Sequence, residues 1–98
     1  MTANYKLNDM VFAKCQNFPY WPGQILSVVG NSSYKVLFYG EKSEATIDQQ
    51  FILPFSEENY RMFNSDISAK NDSLLRYSLQ IAYKRFQKRK KGHISSSE

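Results

Sequence analysis

Cysteine and histidine are almost missing from this chain, Cys15 and His93 being the single representative of each. A structural zinc site needs four such ligands at close spacings, so no metal centre is expected. Catalysis by a Cys15 thiolate would need a base within reach, yet His93 lies far off near the other end of the sequence. Cys15 therefore reads as a small apolar packing residue. A lone cysteine cannot form an internal disulfide, which suits a reducing compartment, cytosol or nucleus. The four glycines are scattered, and none belongs to a loop that could cradle phosphate. Without a metal set, an activated nucleophile or a nucleotide loop, neither an enzyme nor a cofactor is expected. No apolar run approaches the roughly 18 residues of a membrane span, and Met1 to Lys6 lacks the apolar segment of a secretory signal. At 98 residues the chain can build one core and has no room for a second lobe.

The net charge of +4 is unevenly placed. Residues 1–83 carry seven basic and eight acidic side chains, a balance of −1, whereas residues 84–98 carry six basic and one acidic, a balance of +5. The run Lys84-Arg85-Phe86-Gln87-Lys88-Arg89-Lys90-Lys91 is thus a separate electrostatic feature on a nearly neutral body. Its bland interpretation is a solubilising helix end or a nuclear import signal, and its functional one is a phosphate-contacting face.

Apolar and β-branched runs at residues 10–15, 24–29, 34–39 and 44–48, with a shorter one at 51–55, are separated by turn residues such as Gly30-Asn31-Ser32-Ser33 and Gly40-Glu41-Lys42-Ser43. Five short strands at this spacing predict a small, strongly bent barrel. Between the first two lies Pro19-Tyr20-Trp21-Pro22, where two prolines predict a rigid arch outside the strands. The only tryptophan sits on that arch, as a plug or as part of a binding site. After Pro54 the period moves toward 3.6. Ser56 is placed to cap a short helix with Glu57 and Glu58 in its first turn. The stretch 64–73 predicts a loop, and Asp72 or Ser73 a cap for a longer helix. Leu75, Leu79, Ala82 and Phe86 form its inward seam, with Lys84, Lys88 and Lys91 opposite. From Gly92 onward a frayed end is expected.

Lys6-Leu7-Asn8-Asp9-Met10-Val11-Phe12-Ala13-Lys14, followed by Phe18-Pro19-Tyr20-Trp21-Pro22-Gly23, resembles the opening signature of the PWWP domain, with Tyr20 in place of the first tryptophan of the name. Phe38-Tyr39-Gly40 is similar to the aromatic-aromatic-Gly turn of that family, and the resemblance covers roughly residues 5–90. It implies a mainly β fold with α: a five-stranded SH3/Tudor-like β-barrel over about residues 5–55, then a C-terminal helical bundle over about 56–91, with a basic, serine-rich tail at 92–98. Asn8 stands where the family usually has glycine, a change Asn accommodates because it tolerates left-handed backbone geometry.

The resemblance further implies a methyl-lysine cage of Phe18, Trp21 and Phe38, with Cys15 and Glu44 on its border and Glu41 or Glu44 near a basic peptide. Spacing alone favours packing roles for Phe18 and Phe38. Phe12, Tyr39 and Phe51 are assigned to core or rim packing, and Tyr20 to support of the arch. A quaternary ammonium donates no hydrogen bonds and is best held by π faces at about 0.5–2 kcal/mol each, which predicts peptide affinities of roughly millimolar to high micromolar. The same resemblance implies sequence-independent DNA contact through Lys14, Lys84, Arg85, Lys88, Arg89, Lys90 and Lys91. Together these imply a nuclear nucleosome reader within a chromatin-modifying complex, with trimethylated lysine 36 of histone H3 as the mark and lysine 20 of histone H4 second. Two other readings stay open: a DNA-binding module whose aromatics are only core, and a barrel that takes proline-rich peptides.

Overall fold

The computed structural model describes residues 5–66 and 71–96, with side chains up to Lys90 in the last helix. Five antiparallel strands, β1 (Met10–Ala13), β2 (Trp21–Val29), β3 (Ser33–Phe38), β4 (Glu44–Asp48) and β5 (Ile52–Pro54), form one sheet in the order β4-β3-β2-β1-β5. A 3₁₀ turn at Gln49–Phe51 carries the chain from β4 to β5, so the segment sequence reasoning left as strand or turn contains both. Helices α1 (Glu57–Asn64) and α2 (Ser73–Ser96) follow. The sheet is barrel-type because β2 is long enough to serve two partners. Its first half pairs with β1, most of its length pairs with β3, and a register shift between Ile25 and Ser27 bends it on the way.

The arch differs from expectation in one respect. Trp21 and Pro22 begin β2, paired with Ala13 and Phe12, so the rigid connection ends at Tyr20. Proline is tolerated here for a visible reason. The Ile25 N–H bonds to the Asp9 carbonyl of the β1 side at 2.9 Å, and strand alternation then turns position 22 toward β3. There the Tyr39 N–H donates to the Pro22 carbonyl at 3.0 Å, a contact whose return bond proline cannot give. The Trp21 indole Nε1–H supplies a donor instead, reaching the Tyr39 carbonyl at 3.0 Å.

Alternation along β3 sends Tyr34, Val36 and Phe38 inward. Around the fully buried Phe12 an aromatic column assembles: Phe55 stacks on it at 4.6 Å, Phe63 of α1 lies at 4.7 Å, and Tyr20 stacks on Phe63 at 5.1 Å. The arch is thereby fastened to α1, as expected of Tyr20. Phe51, by contrast, is exposed on the 3₁₀ turn and packs in no core. Asn8 adopts φ 71°, the left-handed geometry the glycine-like position requires.

Both caps fall where the residues place them. The Ser56 hydroxyl accepts from Asn59 N at 3.1 Å, and the Asp72 carboxylate accepts from Leu74 N and Leu75 N. Leu75, Leu79 and Ala82 are buried, and Phe86 packs half-buried on Phe55 at 5.0 Å. The backbone helix continues through Gly92 to Ser96, where the sequence predicts fraying. Of the loop expected at 64–73, residues 67–70 lie outside the described residues, as does the side chain of Lys91.

At the junction of the helices, Tyr83 stacks on Tyr60 at 4.0 Å and donates its hydroxyl to Glu57 Oε2. That hydrogen bond, and then burial, holds the Tyr83 hydroxyl above its ordinary pKa of 10.0. The unfolded chain therefore loses this proton first as pH rises. The stability tied to it is complete below the ordinary value and falls away through the higher folded one. Chemical denaturation at about pH 9 and about pH 11 is expected to show this loss, and Tyr83→Phe to show less of it.

Candidate functional site

The β1–β2 connection and the β3–β4 turn face each other at one end of the barrel. Between them lies a pocket of about 160 Å³. Phe18, Trp21 and Phe38 line it together, so the three rings proposed from the sequence do converge. They differ in setting. Trp21 and Phe38 are buried, at 5% and 6% exposure, and form fixed walls in β2 and β3. Phe18 is 58% exposed on the loop and forms the outer wall.

Two features hold that loop in shape. Its backbone turns back on itself, with Phe18 N–H bonded to the Cys15 carbonyl at 3.0 Å and Gln16 at φ 52°. The Lys14 ammonium then reaches across, donating to the carbonyls of Gln16 at 2.9 Å and Phe18 at 3.0 Å. Lys14, proposed from the sequence as a phosphate contact, is thus occupied as a brace of the Phe18 loop. It borders a separate depression with Tyr20, Phe63 and Leu75. Leu75 precedes Lys84 by nine residues, or about 14 Å of helix, so Lys14 stands apart from the basic run.

The pocket rim is acidic. Cys15 and Glu44 border it as expected, and Glu41 does so too. Glu44 leans toward Lys35 at 3.6 Å, an exposed pair that leaves most of its field available. The Glu41 carboxylate makes no hydrogen bond or ion pair among the described residues. Pro19, Ser43 and Ala45 complete the lining; sequence reasoning missed them because two lie on connections and one at the start of β4, where no pattern marks the side chains that face the pocket. Aromatic walls beneath two carboxylates make a receptacle for a cation that is bulky and apolar at its surface. Among the described residues no cluster of His, Cys, Asp and Glu could hold a metal ion, and no helix is long and apolar enough to cross a membrane.

Lys84, Arg85, Lys88, Arg89 and Lys90 are all exposed on α2, and they divide into two groups. Lys84, Arg85 and Lys88 flank a shallow outward depression with Ile81. Arg89 and Lys90 turn toward the barrel: Arg89 Nη1 donates to the Asn8 carbonyl at 2.7 Å, and Lys90 Nζ stands 5.4 Å from the centroid of the Phe86 ring. Pocket and helix are linked through Tyr39, whose carbonyl accepts from the Trp21 indole, a connection no sequence pattern reveals. The Tyr39 hydroxyl donates to Gln24 Oε1 at 2.9 Å, and Gln24 Nε2 donates to Asn8 Oδ1 at 3.3 Å. Asn8 is the residue that Arg89 holds. Burial raises the Tyr39 pKa, and the Arg85 and Arg89 guanidiniums pull it partly back.

The crystal structure of WHSC1L1-PWWP2 is similar, with a TM-score of 0.54 and 22% sequence identity over 96% of this chain and 95% of that one, a likeness of fold. The family model of the PWWP domain matches residues 8–91, which takes in every strand, both walls of the pocket and the basic helix as far as Lys91. On that match the chain belongs to the PWWP domain family.

Proposed function

We propose that this chain reads chromatin by holding a methylated lysine among Phe18, Trp21 and Phe38 while the basic side of α2 lies against nucleosomal DNA. PWWP domains are in general non-catalytic modules of chromatin proteins that bind methylated histone tails and DNA. The finer assignment, trimethylated lysine 36 of histone H3 in a nuclear chromatin-modifying complex, is our reading for this chain. The observation that carries the methyl-lysine reading is the convergence of three rings and two carboxylates on one pocket, and the choice of mark rests on the family resemblance. A trimethylammonium group keeps its charge but offers no N–H, so carboxylates alone cannot hold it and ring faces can. Among the described residues no arginine or asparagine array is set to read base edges, so the DNA contact is to phosphate and independent of sequence. Each site alone is weak. A nucleosome presents both ligands on one body, and the second binding step then occurs at high effective concentration.

Binding of nucleosomes with and without trimethylated lysine 36, measured at about 50 and about 200 mM salt, tests this. Neutralising about four phosphates gives a slope of log K on log salt near −3.6, roughly a hundredfold across that range. A methyl-dependent increment should persist at both concentrations, because contacts to the rings release no counterions. Equal binding of the two nucleosomes would leave a DNA-binding module alone. Tighter binding of an unmodified proline-rich peptide would favour that ligand instead, and preference for methylated lysine 20 of histone H4 would reassign the mark.

A further inference from the structure

Arg89 and Lys90 overhang a second depression, on the other side of α2 from Lys84 and Lys88. It is a groove of about 480 Å³ between the helix and the edge of the barrel formed by β1 and β5. Met10, Phe55 and Phe86 make an apolar floor, and Tyr5 and Pro54 stand beside it. The two cations are held over this floor with donors to spare. Arg89 spends one N–H on the Asn8 carbonyl, and a guanidinium has five. Lys90 rests on the Phe86 ring face and donates no hydrogen bond among the described residues. Asp9, the one carboxylate lining the groove among the described residues, accepts from Lys6 N at 2.8 Å and keeps its charge, so two cations stand against one carboxylate.

An apolar trough beneath two underused cations calls for a ligand with both properties. A DNA backbone or a free phosphate offers the anion but nothing to fill the floor. A methylated lysine has the wrong sign. A peptide in which acidic residues flank a large apolar or aromatic side chain offers both, with carboxylates toward Arg89 and Lys90 and the ring on Met10, Phe55 and Phe86.

We propose that this groove docks a short acidic segment of a partner protein, anchored by an aromatic or large aliphatic side chain. The groove is a separate site from the methyl-lysine pocket, and the two share no lining residue. Such a segment competes with DNA for Arg89 and Lys90 alone and leaves Lys84, Arg85 and Lys88 to phosphate.

The test is amide chemical-shift titration of the whole chain with a synthetic peptide of alternating aspartates and phenylalanines. Saturable shifts at Tyr5, Met10, Phe55 and Phe86, with the Trp21 indole unmoved, are expected. Lys90→Glu and Pro54→Glu, both at exposed positions, should each weaken binding by about tenfold or more, by charge reversal and by a charge at the trough's edge. Equal binding of a phenylalanine-to-serine peptide would overturn the proposal by showing charge attraction only. Shifts centred on Trp21 and Phe38, or no saturable binding, would overturn it as well. So would binding seen only after deletion of residues 1–4, since the chain's own terminus would then be the occupant.

Discussion

Trp21→Ala is expected to abolish detectable binding of a trimethyl-lysine peptide and to lower folding stability by about 3–5 kcal/mol, the usual range for removing a buried large aromatic. Both effects arise from one side chain with two duties. One indole face lines the pocket, while Nε1–H fills the donor position left empty by Pro22. Losing the strongest of three ring contacts removes about 1–2 kcal/mol, roughly 5–30-fold, from an affinity that is weak at the outset. The two duties are separable. Trp21→Phe keeps a ring but gives up the indole donor; the Tyr39 carbonyl still accepts from Glu41 N at 2.8 Å, so the stability loss should shrink toward about 1 kcal/mol. Phe18→Ala removes an exposed ring and should change stability by no more than about 0.5 kcal/mol while cutting peptide affinity several-fold. Calorimetric titration with the peptide, alongside urea unfolding, resolves all three. If Phe18→Ala and Trp21→Phe both leave methyl-peptide affinity unchanged in folded protein, the pocket is a plug.

Much of the fold could be read because the signals are local. Strand patterning, the Gly30 and Gly40 turns and the Ser56 and Asp72 caps each act within a few residues of themselves. Asn8 could also be placed, since few side chains suit positive φ. What could not be read depends on how the backbone turns in space, over short range as well as long. Pro22 looks like a strand breaker until Tyr39 supplies a strand edge and the neighbouring indole supplies the donor. Phe51 has the composition of a core residue, but the 3₁₀ turn rotates it outward. Lys14 belongs to the first strand by sequence and is drawn to two loop carbonyls that its own neighbours create. The basic run was plain as charge. Its division into an outward group and an inward pair was not, because the contact that turns Arg89 inward is to Asn8, at the other end of the chain.

Gly40→Ala is expected to destabilise the fold by about 2–5 kcal/mol, although it adds only one methyl group to a turn. Gly40 has φ +80°, a geometry that costs a residue with a β-carbon about 1–2 kcal/mol. A β-carbon there would also lie 1.9 Å from Ser78 Oγ and 2.9 Å from Ser78 Cβ. Ser78 cannot step aside, because it is fully buried in α2 with its hydroxyl donating to the Leu74 carbonyl at 2.7 Å. Overpacking of that kind costs about 1–3 kcal/mol more. A double-mutant cycle separates the two contributions. Ser78→Gly frees the space at a helix-propensity cost of about 1 kcal/mol, and on that background Gly40→Ala should cost only its backbone share. The consequence reaches the site, because Phe38 and Glu41 flank Gly40 on the turn that α2 braces. A turn pushed off the helix moves a ring and a carboxylate of the pocket together. Gly40→Ala should therefore weaken methyl-lysine peptide binding while the protein is still folded, and the Ser78→Gly background should restore it. If the single variant binds peptide normally, the turn is positioned by the sheet and the helix does not brace it.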